Sequence, residues 1–333
     1  MKRYLPWLLR VAVLLFAAVS LLSFISSLHW TGEVLANFRV QFLVAAFALW
    51  LVVVFLREEV STVVLLACIA AHLIPLSPYL GFSASAPAKA ATQNTASVRV
   101  LTINLDGEAG DLVKLRRLLR IESPDIIVLT ELYGPRHRRF LAELNTDWPY
   151  RLGPLFQDPH EVTILSRIPY VHALVDHSAS GNMVRVARFC PEQRSASPDC
   201  FTLVAAHPMR TVMRSAHQKW RDATLAVMAR HAASEKDGRV VVAGDLNVTP
   251  WSPTFQSLLA KGNLTDGGLG LGITPTWLSS NPLFGLWIDH VLVGGCMTLK
   301  ARHVGESVGS DHYPVIADLS VGRDCQDAQV AAE

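Results

Sequence analysis

The sequence predicts an α/β protein with two packed sheets and helices on the outside, preceded by three membrane-spanning helices. Three features lead to that class. Charge is almost absent from residues 5–80, where only Arg10, Glu33, Arg39, Arg57, Glu58 and Glu59 interrupt long apolar runs. After about residue 98, short β-branched and aliphatic runs alternate with amphipathic stretches. The strands outnumber the helices, which favours two packed sheets over one doubly wound sheet. Finally, polar residues recur where the chain leaves a strand, the place where α/β folds build their sites.

The chain has 333 residues, half of them hydrophobic and 17% charged, enough for one large domain and a further segment. The apolar runs cover about 5–28, 38–56 and 60–80, and the first two contain the roughly 20 residues that a helix needs to cross a bilayer. The third is the weakest, because His72, Pro75 and Pro78 lie in its second half. A cleaved signal peptide is the rival reading of the first run; its length and the two runs that follow favour an anchor. Lys2, Arg3 and Arg10 precede or begin the first run, and the loop from His29 to Asn37 has no Lys or Arg. Positive charge in short loops stays inside. Three spans then place everything after about Leu80 outside, in the periplasm of a Gram-negative source, with residues 1–80 in the inner membrane. Residues 81–97 are mostly Ala, Ser, Thr and Pro and read as a flexible linker. A catalytic domain at 98–323 and a tail at 324–333 complete the chain.

Cysteine usage agrees with an outside domain. Cys68 falls in the third apolar run. Cys190 and Cys200 bracket a polar, Pro-containing loop as a hairpin would, and they are expected to pair; Cys296 with Cys325 is a weaker pairing. No two cysteines have the spacing of a zinc site.

Within the domain, Val98–Leu105 reads as a strand that leads to Asn104 and Asp106. Asp111–Ile121 carries leucines at helical spacing and ends before Ser123-Pro124. Asp125–Thr130 is a buried strand that leads to Glu131. Glu161–Ser166, Met183–Cys190 and Phe201–Ala206 are further strands, and the last ends at His207-Pro208. A helix follows from about Ser215 to Ala233. Arg239–Ala243 is the strand before Gly244, Asp245 and Asn247. Trp251–Leu259 is a short helix, Thr274–Leu278 a weak strand or loop, and Leu286–Val293 a strand bearing Asp289 and His290. A polar turn with Asp311 and His312 precedes the last strand, Val315–Leu319.

Asp245 and Asn247 stand two apart, so in extended chain both side chains face one point. A carboxylate there can hold a hard cation; a carboxamide can ligate it or donate to a phosphate oxygen. The same Gly-Asp-x-Asn is also good turn chemistry, and the pattern alone leaves both readings open. The full set at strand ends is Asn104, Asp106, Glu131, His207, Asp245, Asn247, Asp289, Asp311 and His312. It is acid-rich, has two histidines and lacks cysteine and a serine elbow. Such oxygen donors suit Mg²⁺ or Mn²⁺. A hard cation beside a histidine suits phosphate-ester hydrolysis.

The segments TINLDG (102–107), PDIIVLTEL (124–132), TILSR (163–167), AAHP (205–208), GDLNVTP (244–250), IDHVLV (288–293) and GSDHYPV (309–315) occur in order. In this the chain resembles the endonuclease/exonuclease/phosphatase superfamily. The resemblance implies a four-layer α/β-sandwich of two mixed sheets and divalent-metal-dependent phosphoester cleavage. It assigns Glu131 as principal metal ligand, Asn104 and Asp311 as contributors to the metal site, and Asp106 as a ligand or merely a turn residue. It assigns Asp245 and Asn247 to water or phosphate, His207 to the charged phosphate, and His312 as the catalytic histidine oriented by Asp289. Asn182 is read as a loop residue, His290 as a surface or packing histidine, and Arg210, Arg214 and Arg221 as solvated charge. The expected function is a membrane-anchored phosphodiesterase or phosphatase, with a phospholipid or other envelope phosphoester as the favoured substrate. A nuclease on the same site is the alternative, supported by the compact basic cluster Arg136–Arg139. A non-catalytic membrane scaffold is the second alternative.

Overall fold

The computed structural model describes residues 5–26, 29–81, 97–107, 109–132, 135–153, 161–191, 197, 199–211 and 215–322. The N-terminal part forms four helices: α1 (Leu5–Leu22), α2 (Trp30–Ala36), α3 (Arg39–Phe55) and α4 (Glu59–Leu76). α4 packs against α1 and α3. Val13, Ala17, Ala46, Val53, Leu65 and Cys68 form the seam between these helices. The outside of the bundle stays apolar, with Leu15, Phe47, Leu51, Phe55, Val63 and Ile74 all exposed.

The expectation of three spans is corrected. Among the described residues, one helix is long and apolar enough to cross a membrane, Glu59–Tyr79. A second exists only if α2 and α3, bent by 69°, count together. The reason is length. The span Glu59–Tyr79 runs past the end of α4 to 21 residues, whereas α1 and α3 have 18 and 17, at the lower end of what crosses a bilayer. The stretch read as the first loop is helical instead. His29 caps α2 by accepting from the Thr31 N–H, and Gly32, Glu33 and Ala36 are buried.

The domain proper begins with β1 (Ser97–Asn104), α5 (Leu112–Glu122), β2 (Ile126–Thr130), α6 (Pro135–Leu144), β3 (Tyr150–Leu152) and β4 (Thr163–Ser166). It continues with β5 (Tyr170–His177), β6 (Met183–Phe189), β7 (Phe201–Ala206), α7 (Ser215–Ser234), β8 (Val240–Asp245) and α8 (Pro253–Gly262). The last strands are β9 (Leu264–Asp266), β10 (Asp289–Gly294), β11 (Met297–Val304) and β12 (Val315–Val321). They form two six-stranded mixed sheets, ordered β11-β12-β1-β2-β4-β3 and β5-β6-β7-β8-β10-β9. Each sheet holds one parallel pair, β1 with β2 across α5 and β7 with β8 across α7. The other pairings are antiparallel.

Strand parity builds the layers. Val98 and Val100 of β1, Ala205 of β7, Val241 and Ala243 of β8, Val291 of β10 and Ala317 of β12 meet between the sheets. The alternate residues Leu101 and Ile103 pack on α5 and α6, while Val204 and Val242 pack on α7 and α8. The result is helix, sheet, sheet, helix, the four-layer sandwich expected. Asp111 caps α5 by accepting from the Val113 and Lys114 N–H groups. Cys190 and Cys200 lie at disulfide distance (S–S 2.08 Å) across the β6–β7 hairpin. Cys325, most of the 81–97 segment and the tail lie outside the described residues.

Candidate active site

The inner rows of the sheets run straight into the site. On β1 the sequence Val98, Val100, Thr102 continues to Asn104; on β8 Val241 and Ala243 continue to Asp245; on β10 Val293 and Val291 lead back to Asp289. Asp289 and Asp245 are register partners. Each row therefore delivers its last, polar residue into the gap between the sheets. Gly244 is required beside it. Its φ is +145°, and a Cβ there would stand 2.2 Å from the Ala206 carbonyl oxygen. Parity alone does not deliver Glu131 and Asn247. Both adopt left-handed backbone, as does Asp106, with φ of 53°, 51° and 49°. That turn redirects the chain at the sheet's edge, and Asn and Asp tolerate it better than most residues.

The side chains interlock. The Asn104 amide donates to Glu131 Oε1 (2.9 Å) and to Asp245 Oδ2 (3.0 Å). Its own oxygen accepts from the Asp106 N–H (2.9 Å). His207 Nε2 stands 3.4 Å from Asp245 Oδ2 and 3.7 Å from Glu131 Oε1. Asp245 Oδ1 accepts from the Asn247 N–H (2.9 Å), and the Asn247 amide donates to the Pro208 carbonyl (3.0 Å). His312 Nδ1 is 2.8 Å from Asp289 Oδ2. His312 Nε2 is 3.7 Å from Asp311 Oδ1 and 3.8 Å from Asp245 Oδ2. All nine residues named from the sequence thus fall in one cleft.

The charges are strongly coupled. Burial works to raise Asp245, but the His207 hydrogen bond, the charges of His312 and His207, and the Asn104 amide hold it below the usual carboxylate range. Asp289 is raised, by burial and then by the Asp245 charge, with His312 opposing. Burial works to lower His312, and Asp289 and Asp245 overrule it and lift the imidazole to about 10. Asp106 is raised by burial and by the neighbouring Asp311 and Glu131 charges.

The donor set fits a hard divalent cation. Among the described residues, Asp245, Asp289 and His312 bring ligand atoms within 4.8 Å of one another, and beside them Glu131 and Asp311 lie close enough to Asp106 for their charges to raise it, which adds the acids assigned to a cation from the sequence. Asp289 Oδ1 is buried without a hydrogen-bond partner. Carboxylate oxygens at this density suit Mg²⁺ or Mn²⁺.

Three supporting residues were not singled out in the sequence. The Trp277 indole donates to Asp311 Oδ2 (2.9 Å). Thr276 Oγ1 accepts from the Ile288 and Asp289 N–H groups (3.1 and 3.0 Å). Ser310 Oγ donates to the Asn104 carbonyl (2.7 Å) and accepts from the His312 N–H (3.0 Å). Ser310 carried a signal, since it sits inside GSDHYPV; Thr276 and Trp277 lie in a stretch with no periodicity. Asn182 donates weakly to the His207 carbonyl (3.4 Å). His290 is a packing residue, with Nε2 2.8 Å from the Val248 carbonyl and its ring stacked on Trp287. The reading of Arg221 as solvated charge is corrected. It is fully buried, because α7 turns it toward Glu33 of α2 (2.9 Å). Arg214 and the Arg136 side chain lie outside the described residues.

Four layers with a carboxylate–imidazole cleft between the sheet ends define the class, a sandwich protein built around a charged cleft. Residues 101–312 match the Endonuclease/Exonuclease/phosphatase family, and the chain belongs to it. Members of this superfamily are generally hydrolases acting on phosphoester bonds. An endonuclease/exonuclease/phosphatase from Beutenbergia cavernae is similar at 20% identity, covering 68% of this chain and 72% of that one, with a TM-score of 0.53. The 3' phosphatase NExo from Neisseria, bound to product DNA hairpin, is 20% identical over 66% of this chain and 98% of that one (TM-score 0.54). Beta toxin from Staphylococcus aureus, with bound magnesium ions, is 14% identical over 67% and 99% (TM-score 0.51). Likeness at these identities speaks to the fold. Comparison with curated proteins returned no match.

Proposed function

We propose that this protein is a membrane-anchored, divalent-metal-dependent phosphoester hydrolase. The observation that carries the reading is the 2.8 Å contact between His312 Nδ1 and Asp289 Oδ2, inside a cleft lined by Glu131, Asp245 and Asp311. Asp289 holds the proton of His312 on Nδ1, which leaves Nε2 to take a proton from an attacking water. An imidazole lifted this high is protonated at neutral pH. It becomes a base once positive charge in the cleft offsets the acids around it. Glu131, Asp106 and Asp311, with Asn104 arranging them, would hold Mg²⁺ or Mn²⁺, which would supply charge against the phosphoryl oxygens. Asp245 and Asn247 orient the water and the phosphate, and His207 faces the developing negative charge.

The favoured substrate is a phospholipid or other envelope phosphoester. The support is the helical bundle, whose exterior presents Leu15, Phe47, Phe55 and Ile74 where a soluble protein would present polar groups. The Cys190–Cys200 contact supports an oxidising compartment, and hence a periplasmic domain on an inner-membrane anchor. A nuclease is the second reading, favoured by exposed Arg138 and Arg139 on α6 close after Glu131.

The test is hydrolysis of bis-p-nitrophenyl phosphate by the full chain in detergent, with Mg²⁺, with Mn²⁺ and with EDTA, beside His312→Ala. Metal-dependent turnover that falls roughly 10²–10⁴-fold in the variant is expected. Turnover indifferent to EDTA or to the substitution would defeat the reading. Activity on phospholipid vesicles against plasmid DNA separates the two substrate classes.

A further inference from the structure

The loop that follows Asp245 is held from two sides. On the cleft side, the Leu246 N–H donates to the Ile288 carbonyl (2.9 Å) and the Asn247 amide to the Pro208 carbonyl (3.0 Å). The Val248 carbonyl meets His290 Nε2 at 2.8 Å. On the far side, the partners come from the N-terminal helices. The Thr249 N–H and hydroxyl both donate to Asn37 Oδ1 (3.1 and 2.9 Å). The Trp251 indole donates to the Ala36 carbonyl (2.9 Å). The Ser252 hydroxyl donates to Glu33 Oε1 (2.6 Å) while capping α8 through the Thr254 N–H. Glu33 Oε1 also accepts from Arg221 Nη2 (2.9 Å). Glu33, Arg221, Thr249 and Ser252 are each at most 1% exposed. Leu76, the last residue of α4, and Tyr79, in the turn just after it, add an apolar contact with Trp251 and Trp287.

A leash that only keeps a domain near a membrane needs none of these contacts. Buried donors and acceptors on both sides would be left unsatisfied if the two parts separated. Thr249 lies two residues beyond Asn247, whose N–H holds Asp245 Oδ1. A displacement of Thr249 therefore passes to the two cleft residues through one intervening residue.

We infer that the segment 30–37 is part of the catalytic unit, with Asn37 and Glu33 as positioning residues that fix the Asp245–Asn247 turn from the membrane side. The inference rests on the hydrolase reading of the cleft, which it extends to residues far outside the family match. Its consequence is that hydrolysis depends on the helical bundle being seated on the domain, even for a substrate that never touches a bilayer.

The test uses the full chain in detergent and the soluble diester. Asn37→Leu is expected to lower kcat about tenfold or more with KM changed by less than about twofold, since geometry and not affinity is lost. Asn37→Asp keeps an acceptor oxygen for Thr249 and regains most of the rate. Thr249→Val removes one donor at constant shape and gives a smaller loss. Glu58→Gln, at the Arg10 contact far along the bundle, leaves the rate unchanged. Hydrogen exchange of residues 245–252 without metal gives a readout independent of turnover and is expected to quicken in Asn37→Leu only. Normal kcat in Asn37→Leu and Thr249→Val overturns the inference, whether or not exchange changes. No turnover by the unaltered chain with any metal defeats the hydrolase reading instead, and exchange then decides alone whether the helix holds the turn.

Discussion

Two polar clusters lie at opposite ends of one short loop, and they differ in charge balance. Among the described residues, the acids Asp106, Glu131, Asp245, Asp289 and Asp311 of the cleft face the imidazoles of His207 and His312, with the Arg210 charge acting on Asp106. At the junction with the helices, Glu33 meets Arg221, and neutral Asn37, Thr249 and Ser252 complete the hydrogen bonds. The junction balances its charges, with Arg221 Nη1 left as a buried nitrogen without a hydrogen-bond partner. The cleft holds an excess of acid, which raises Asp106 and Asp289 and lifts His312. Charge-balanced polar clusters hold structure; clusters short of one charge sign are where a ligand of that sign is taken up.

The comparison can be broken at the junction first. Glu33→Gln leaves the buried Arg221 guanidinium with Asp222 alone, and breaking a buried pair in this way costs about 3–5 kcal/mol. Thermal unfolding of the full chain should show a loss of that order. Replacing both partners by apolar residues, Glu33→Leu with Arg221→Met, should recover much of it. Equal losses in the single and double variants would mean that the pair is not a closed unit.

The junction also contains one acid that sharpens the contrast. Asp266 is buried, and burial lifts its carboxyl to about 6 despite the Gly268 N–H, the Arg302 charge and the Tyr79 hydroxyl that pull it down. A folded value above the unfolded one means that its contribution is full below about pH 4 and is lost as pH rises through about 6. A shift of this size corresponds to about 3 kcal/mol. Asp266→Asn should remove that part of the pH dependence. Identical stability profiles for the two proteins between pH 4 and 8 would show that Asp266 ionises freely.

The smallest effect belongs to the cleft. With EDTA present, Asp106→Asn should stabilise the protein slightly, by roughly 0.5 kcal/mol, because it removes a disfavoured charge and Asn suits left-handed backbone. With Mg²⁺ or Mn²⁺ the order should reverse, since the unaltered chain gains by binding. The readout is the melting temperature with and without metal; a destabilised variant in EDTA would mean that the cleft is not short of positive charge.

Much of the fold was legible because periodicity is a local property. Phe201–Ala206 and Val315–Leu319 read as buried strands from their aliphatic runs, the second extended to Val321 in the fold, and α7 follows the expected helix within one residue at its end. The weak elements β3, β5, β9 and β11 and the helix α6 were missed. β5 and β11 are only partly buried, so their sequences carry no clean alternation. α2 was read as a loop because, with 7 residues, it is too short to show a period. It is held by Thr249, Trp251 and Ser252, more than 200 residues away.

Which residues could make the cleft is legible along the chain. Apolar rows of period two force their polar continuations Asn104, Asp245 and Asp289 to one side, wherever the strands end up. What those rows meet depends on the packing of distant elements. Strand order sets Asp289 opposite Asp245, left-handed turns aim Glu131 and Asn247, and the packing of α2 buries Arg221 against Glu33. The physical reason is range. Side-chain direction along a strand is fixed by neighbouring residues, whereas charge pairing across the molecule depends on which distant surfaces exclude water together.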